Sequence, residues 1–338
     1  MTDRQGPSLT ELLAPVLFQL SFRQGWKMLL KDNPHSFLTG NDPFMPVDFQ
    51  SGSDGKFATA IQFDFKHEGF VGIPHGGIGM GLCLDAWRNL GKPFYPVTVN
   101  FKFGGTGIFI GDQAIFEVGK LNSSSDGLDI KITKSGDKKP YLRAEIAHAE
   151  IVDPQTPTAF LNYDNFRALP YYRNCFVCGH ARQDPGLQRR FRVHQGDSVV
   201  QVTVPWGDHP DDFDRAKYFL IAKEELHPAA LISIFDENTA WAGFMLTKSA
   251  GLSVRLEFTL LRPVGRTEKL LFVGEPTGIR GNPAAPRFFT ASGTIFSRSG
   301  SNFEPVAYGK GEWIIMSQYT NQIKKNLIPE NDWEWIFA

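Results

Sequence analysis

From position 57 the chain alternates apolar and polar side chains: Phe57, Thr59, Ile61, Phe63 and Phe65 interleave with Ala58, Ala60, Gln62, Asp64 and Lys66. A period of two predicts a half-buried strand. Residues 69–91 (GFVGIPHGGIGMGLCLDAWRNLG) then read as a loop and a helix of about four turns that stops at a glycine. Strand patterns follow at 97–103 and 107–120, and 126–151 carries two more runs about a Ser135-Gly136-Asp137 turn. Pro154, Pro157 and Pro170 punctuate a stretch without period, read as a linker. The same order then returns. A strand pattern covers 196–206 and a helix pattern 227–246, with Pro228 in the first turn, where its missing N–H would be unpaired anyway. Strand patterns follow at 253–263 and 268–278, and those at 288–296 and 306–315 flank a Ser299-Gly300-Ser301 turn.

This is an internal duplication that sets His227 against His75. It divides the chain into an N-terminal helical extension (1–54), a first unit (55–152), a linker (153–172), a second unit (173–318) and a tail (319–338). One or two short helices, interrupted by Pro15 and Gly25, are expected within 8–30, and their polar face lacks the basic stripe of a membrane-surface helix. The fold class is α+β. A sheet of four or five antiparallel strands buries one apolar helix only by curling around it, and two such units can pair edge to edge.

Composition narrows the picture. The 338 residues are about twice one typical domain, as a duplication requires. Lys and Arg total 35 against 36 Asp and Glu, which argues against nucleic acid or a polybasic membrane contact as partner. No stretch reaches the roughly 18 apolar residues of a membrane span. Three cysteines fit a reducing compartment better than a disulfide framework, and the polar start lacks an apolar signal core, so a cytoplasmic protein is expected. The aromatic tail NDWEWIFA (331–338) is expected to dock on the body or on a partner.

His75-Gly76-Gly77, opening a helix after Gly72-Ile73-Pro74 and followed by VTVNFKF, resembles the HGG signature of hot-dog-fold acyl-CoA thioesterases. Cys175-Phe176-Val177-Cys178-Gly179 with Gly186-Leu187 resembles the opening of many members of that superfamily, and LEFTLLRPV (256–264) resembles the strand after their central helix. The resemblance spans residues 55–152 and 173–317. It implies a double hot-dog: two antiparallel sheets, each curled around a central helix, pairing into one pseudo-dimer. It further implies an acyl-thioester hydrolase needing no metal or redox cofactor, with CoA present only as part of the substrate. Pairing of two chains into a larger assembly is common for such folds.

Thioester hydrolysis passes through a tetrahedral oxyanion, so a backbone N–H aimed at the carbonyl oxygen is the main requirement. A helix N-terminus offers unpaired N–H groups, and glycine there keeps a Cβ out of the acyl group's way. A carboxylate then activates water or attacks directly. The resemblance implies that this carboxylate lies nine residues after the His, serving the opposite repeat's site, with a Ser or Thr on the next strand holding the water. His75 and Gly76 match the oxyanion end, but the ninth position after His75 is Leu84, and Asp85 sits one residue late, about 100° round the helix. After His227 the ninth position is Asp236, which matches, as does Ser253; but Pro228 has no N–H to donate. The expectation is one composite site: Gly76 and His75 from the first repeat, Asp236 and Ser253 from the second. Asp85, Glu237, Gly77 and His227 are secondary candidates. Structural roles also fit: His75 as a helix cap, Gly76, Gly77, Gly79 and Gly81 as positions that let the helix lie close on the sheet, with packing the better account of Gly79 and Gly81 and chemistry of Gly76, and Asp85 as a packing or surface carboxylate.

Cys175-x2-Cys178-x-His180 invites a zinc reading, but a structural site needs four ligands and there is no second Cys pair. GGIGMG does not follow the dinucleotide fingerprint and there is no G-x-S-x-G elbow, which removes nucleotide-binding and α/β-hydrolase readings. Two alternatives to hydrolysis stay open: a hydratase or dehydratase acting on an acyl thioester through a His and a carboxylate, and a binding protein for acyl thioesters or lipids whose two sites have both decayed.

Overall fold

The computed structural model describes residues 50–51, 57–89, 95–105, 107–121, 127–149, 167–195, 200–221, 224–282, 285–327 and 333–337. The helices expected within 8–30 and most of the linker lie outside the described residues.

Among the described residues thirteen strands form one antiparallel sheet. The first repeat contributes β1 (Gln50–Ser51), β2 (Phe57–Gln62), β3 (Val97–Phe103), β4 (Gln113–Lys120), β5 (Leu128–Lys134) and β6 (Leu142–His148). The second contributes β7 (Arg167–Ala168), β8 (Arg192–Gln195), β9 (Val200–Trp206), β10 (Gly251–Leu260), β11 (Leu270–Asn282), β12 (Ala285–Ser299) and β13 (Asn302–Ile315). Among the described residues five α-helices accompany them: α1 (Gly76–Asn89), α2 (Pro210–Ala216), α3 (Pro228–Thr247), α4 (Ser317–Leu327) and α5 (Trp333–Phe337). The spatial order is β1-β2-β4-β5-β6-β3-β10-β13-β12-β11-β9-β8-β7, so the two repeats run outward from β3 and β10 as mirror sequences of equivalent strands.

This corrects the expected architecture. The two repeats do not build separate sheets, each curled around its own helix; they share one continuous sheet, and the central helices pack against each other. The reason lies in the two edges. A strand edge carries unpaired N–H and C=O groups, and β3 and β10 satisfy theirs on each other from Arg255↔Lys102 to Leu260↔Val97. The Thr98 and Thr259 hydroxyls share a 2.7 Å hydrogen bond across the seam. The register keeps one face apolar throughout: Val97, Val99 and Phe101 stand opposite Leu260, Phe258 and Leu256, all buried.

α1 and α3 are apolar because they are enclosed between this face and each other. Their backbones meet where Gly77 faces Ser233: a Cβ built on Gly77 would lie 2.5 Å from the Ser233 Cα. The C-terminal tail docks on the body. The Trp335 ring lies under the Arg167 guanidinium at 3.8 Å, its carbonyl accepts from Lys248 Nζ (3.0 Å), and Ile336 and Phe337 are buried. Among the described residues no helix is long and apolar enough to cross a membrane.

The Gly77–Ser233 contact is testable. Alanine favours helix by about 1 kcal/mol over glycine, whereas overpacking a closed interface costs about 1–3 kcal/mol. Because the obstacle is backbone, the second effect wins. Gly77→Ala should lower stability by about 1–2 kcal/mol in urea denaturation; a stabilised variant would place the helices further apart than described.

Candidate active site

The site begins with how α1 starts. The His75 N–H donates to the His67 carbonyl (2.8 Å), fixing the backbone that enters the helix. Its Nδ1 accepts the Gly77 N–H at 2.9 Å, so the imidazole takes the place of the usual Ser or Asp cap. The Gly76 N–H has no partner among the described residues, because the cap reaches past it to the next amide. With Nδ1 accepting, the ring's proton sits on Nε2, which lies 3.3 Å from Glu237 Oε2. Burial disfavours the charged ring. The Glu237 hydrogen bond and the pull of Cys175, Glu237 and Asp236 outweigh it and lift the His75 pKa to about 9. The Gly77 N–H works the other way, since a second proton at Nδ1 would displace that cap.

Asp236 and Glu237 follow one another on α3, about 100° apart round its axis, and both line one cavity. Asp236 Oδ1 accepts the Ser253 hydroxyl at 2.8 Å. Asp236 Oδ2 lies against Gly76: a Cβ there would sit 3.1 Å from it. The four residues expected to converge, His75, Gly76, Asp236 and Ser253, are thus together, drawn from α1, α3 and β10. Burial raises the Asp236 pKa; His75 and the Ser253 hydrogen bond pull it down, and Glu237 adds to the rise.

Glu237, a secondary candidate in the sequence, also lines the cavity. Its Oε2 meets the His75 ring and accepts the Cys175 thiol at 3.3 Å, while the Val177 N–H donates to that sulfur (3.3 Å). Cys175 was missed as a site residue; its signals were the Cys-x2-Cys pattern, weighed there for zinc, and its place in the segment that resembles the superfamily's opening. His75, Cys175 and Glu237 hold three donor atoms within 4.8 Å of one another. They do not suit a metal ion. A ligating imidazole normally donates its other N–H to an acceptor, whereas His75 Nδ1 receives a donor. His180 lies apart, its ring 5.2 Å from Tyr171. Burial and the charges of Arg190, Arg215 and Arg189 depress its pKa to about 4, surroundings that repel a cation.

The other junction repeats the arrangement in closed form. His227 Nδ1 accepts the Ala229 N–H (3.0 Å) and Nε2 meets Asp85 Oδ1 at 3.0 Å, with 1% and 3% of the two side chains exposed. Asp85 and Glu237 both occupy the tenth position after their own repeat's His. The tenth position therefore supplies the acid that faces the opposite imidazole, and the ninth holds Asp236 in one case and Leu84 in the other. Pro228 leaves no amide where Gly76 leaves one.

The cavity of about 680 Å³ is mostly apolar, with Phe70, Phe103, Trp241, Phe244 and Trp313 among its walls and Tyr319 and Ile323 of α4 closing one side. No family model and no curated protein matches the chain. Solved structures do. The tesB protein of Mycobacterium avium subsp. paratuberculosis is 15% identical, with a TM-score of 0.52 over 80% of this chain and 96% of that one. The dehydratase domain of PpsC from Mycobacterium tuberculosis, solved with C12:1-CoA, is 12% identical, with a TM-score of 0.50 over 83% and 98%. The CurJ dehydratase gives 11% and 0.50 over 85% and 98%. The chain thus shares the fold of these solved structures.

Glu237 is the largest upward influence on His75, so Glu237→Gln should lower that imidazole's pKa from about 9 toward or below 6.5. NMR titration of the ring reads this directly. Sign follows from linkage: the raised pKa stabilises the fold below pH 6.5 and the contribution fades as pH rises through about 9. The Gln variant should lose that dependence.

Proposed function

We propose that the chain hydrolyses acyl thioesters at the single centre formed by Gly76, Asp236 and Ser253, with His75 organising the helix start. The observation that carries this reading is the unspent Gly76 N–H beside the Asp236 carboxylate, on the wall of an apolar cavity. The thioester carbonyl oxygen accepts the Gly76 N–H. A water held by Asp236, itself oriented by Ser253, adds to the carbonyl carbon as Asp236 takes its proton. The tetrahedral species collapses with cleavage of the C–S bond, and Asp236 passes the proton to the departing sulfur. The products are a carboxylic acid and a thiol. The acyl chain lies among the cavity's aromatic side chains. A buried oxyanion donor contributes about 2.7–4 kcal/mol and a positioned base about 10²–10⁴ in rate.

The hydratase or dehydratase reading draws support from one observation, the cavity-facing His75 hydrogen-bonded to Glu237. At 3.3 Å that pair leaves no room for a substrate carbon between its members, which favours hydrolysis. Thiol release across an acyl-CoA panel, with enoyl-CoA hydration followed alongside, separates the two; activity in neither leaves binding alone.

Pro228 occupies in the second repeat the position of Gly76, so proline is compatible with this helix start. Gly76→Pro removes the amide hydrogen, and Gly76→Ala keeps it while adding the same Cβ. The proline variant should have kcat about 10²–10³ below the alanine variant; equal rates would remove Gly76 from the chemistry. Asp236→Asn should cost about 10²–10⁴ in kcat. The acid limb of the wild-type profile should lie above the ordinary carboxylate range, because burial raises the Asp236 pKa. Ser253→Ala removes a hydrogen bond that favours the ionised form, so it should move that limb to higher pH; an unmoved limb would mean that another group titrates.

A further inference from the structure

β10 runs past the end of its neighbour. It pairs with β13 from Gly251 to Leu260 but with β3 only from Arg255 to Leu260. Residues 251–254 thus have a strand on one side and, on the other, the loop after β3, whose Gly104, Gly105 and Phe109 line the cavity. Through this gap the cavity reaches both faces of the sheet. Ser253 and Trp313 line it from the helix side, while Leu252, Ile314 and Phe288, one cross-strand row, line it from the opposite side. A bulge between Ser253 and Arg255 makes this possible. Residues two apart on a regular strand share a face, but here Ser253 turns to Asp236 and Arg255 turns outward with Leu256 buried beneath.

The outer rim of the gap is cationic. Arg255 stands directly opposite Lys102 in the register, both side chains are exposed, and no ion pair of either is found among the described residues. Like charges directly opposite on a sheet repel. Neighbouring charges do not relieve them: Glu312, across from Arg255, is taken by Arg280 at 2.7 Å, and Arg143, across from Lys102, is held by Asp129 and Glu145. Arg280 itself lies 4.4 Å over the ring of Phe288, the cavity residue at the end of the row.

We infer that Lys102 and Arg255 hold the phosphate end of a pantetheine-type carrier whose thioester reaches Gly76 and Asp236 through the gap in the sheet. The inference rests on the thioester reading of the site. A phosphate between the two cations removes their repulsion, and the neutral pantetheine arm suits an apolar passage. Free CoA and 4′-phosphopantetheine on a carrier protein present the same anion.

Calorimetric binding tests this without turnover. CoA, pantetheine and a phosphopantetheinyl carrier protein are titrated into the wild type and into K102A/R255A, with K102Q/R255Q as a second pair. The double variants should bind CoA or the loaded carrier at least tenfold more weakly and lose most of the salt dependence, while pantetheine should bind all proteins alike. Loss with CoA alone, or with the carrier alone, supports the docking site and identifies the source of the phosphate. Unchanged affinity for both overturns it. Weakened binding in the variants, with no thiol release by the wild type, would refute hydrolysis and leave the docking site standing; thiol release from acyl-CoA with an unchanged KM in the variants would do the reverse. Because a like-charge pair is removed, the thermal midpoint of the variants should be equal or higher, so weaker binding cannot be ascribed to unfolding.

Discussion

Each central helix starts on an imidazole that accepts the amide of the helix's second residue and turns its remaining nitrogen to an acid of the other helix. A cap of this kind contributes about 1 kcal/mol, and a hydrogen bond to a charged group about 1.5–3 kcal/mol. The geometry matters more than these sums. Because the ring reaches the second amide, the first is left over, and what stands at that first position decides whether the helix start has anything to offer a ligand. With Gly76 it offers an N–H against Asp236; with Pro228 it offers none. The acids opposite bind the two helices into one register, since shifting either helix would strand a buried imidazole and a buried carboxylate together.

That register in turn depends on the sheet. The β3–β10 seam holds the repeats at a fixed separation, and the apolar row running across it gives both helices one common floor. The Gly77–Ser233 approach then fixes how closely the helices cross. The candidate groups thus sit on the two packed helices and the seam strand, while aromatic side chains and α4 wall the cavity.

Much of this was legible along the chain, because local pattern encodes local structure. The alternation over 57–66 became a strand only as far as Gln62 and ends in a 3-10 turn at Phe65–His67, that at 97–103 is a strand throughout, and the helix patterns within 69–91 and at 227–246 became α1 and α3. The duplication is there in the strand order. What failed to show was whatever depends on contact between distant segments. Pairing edge to edge was expected, but nothing in the sequences of β3 and β10 marks them as the edges that meet, and two curled sheets were expected where there is one continuous sheet. The ninth-against-tenth question had the same origin: which acid of α3 meets His75 is set by the crossing angle of two helices, and Glu237 faces it while Asp236 lies beside Gly76. Cys175 enters the site through a loop fold that leaves no periodic trace. Helix α4 was missed because SQYTNQIKKNL is polar apart from few side chains, two of which, Tyr319 and Ile323, face the cavity.

The seam between the repeats has one more consequence. In an assembly of identical subunits every substitution is made twice, so neither of two equivalent centres can be given up without the other. Joining the copies in a single chain lifts that requirement. One junction is closed around His227 and Asp85, with Pro228 and Leu84 at the positions of Gly76 and Asp236, while its counterpart opens on the cavity with the Gly76 backbone bare. The asymmetry is the freedom that covalent linkage confers: half the molecule can specialise in holding still.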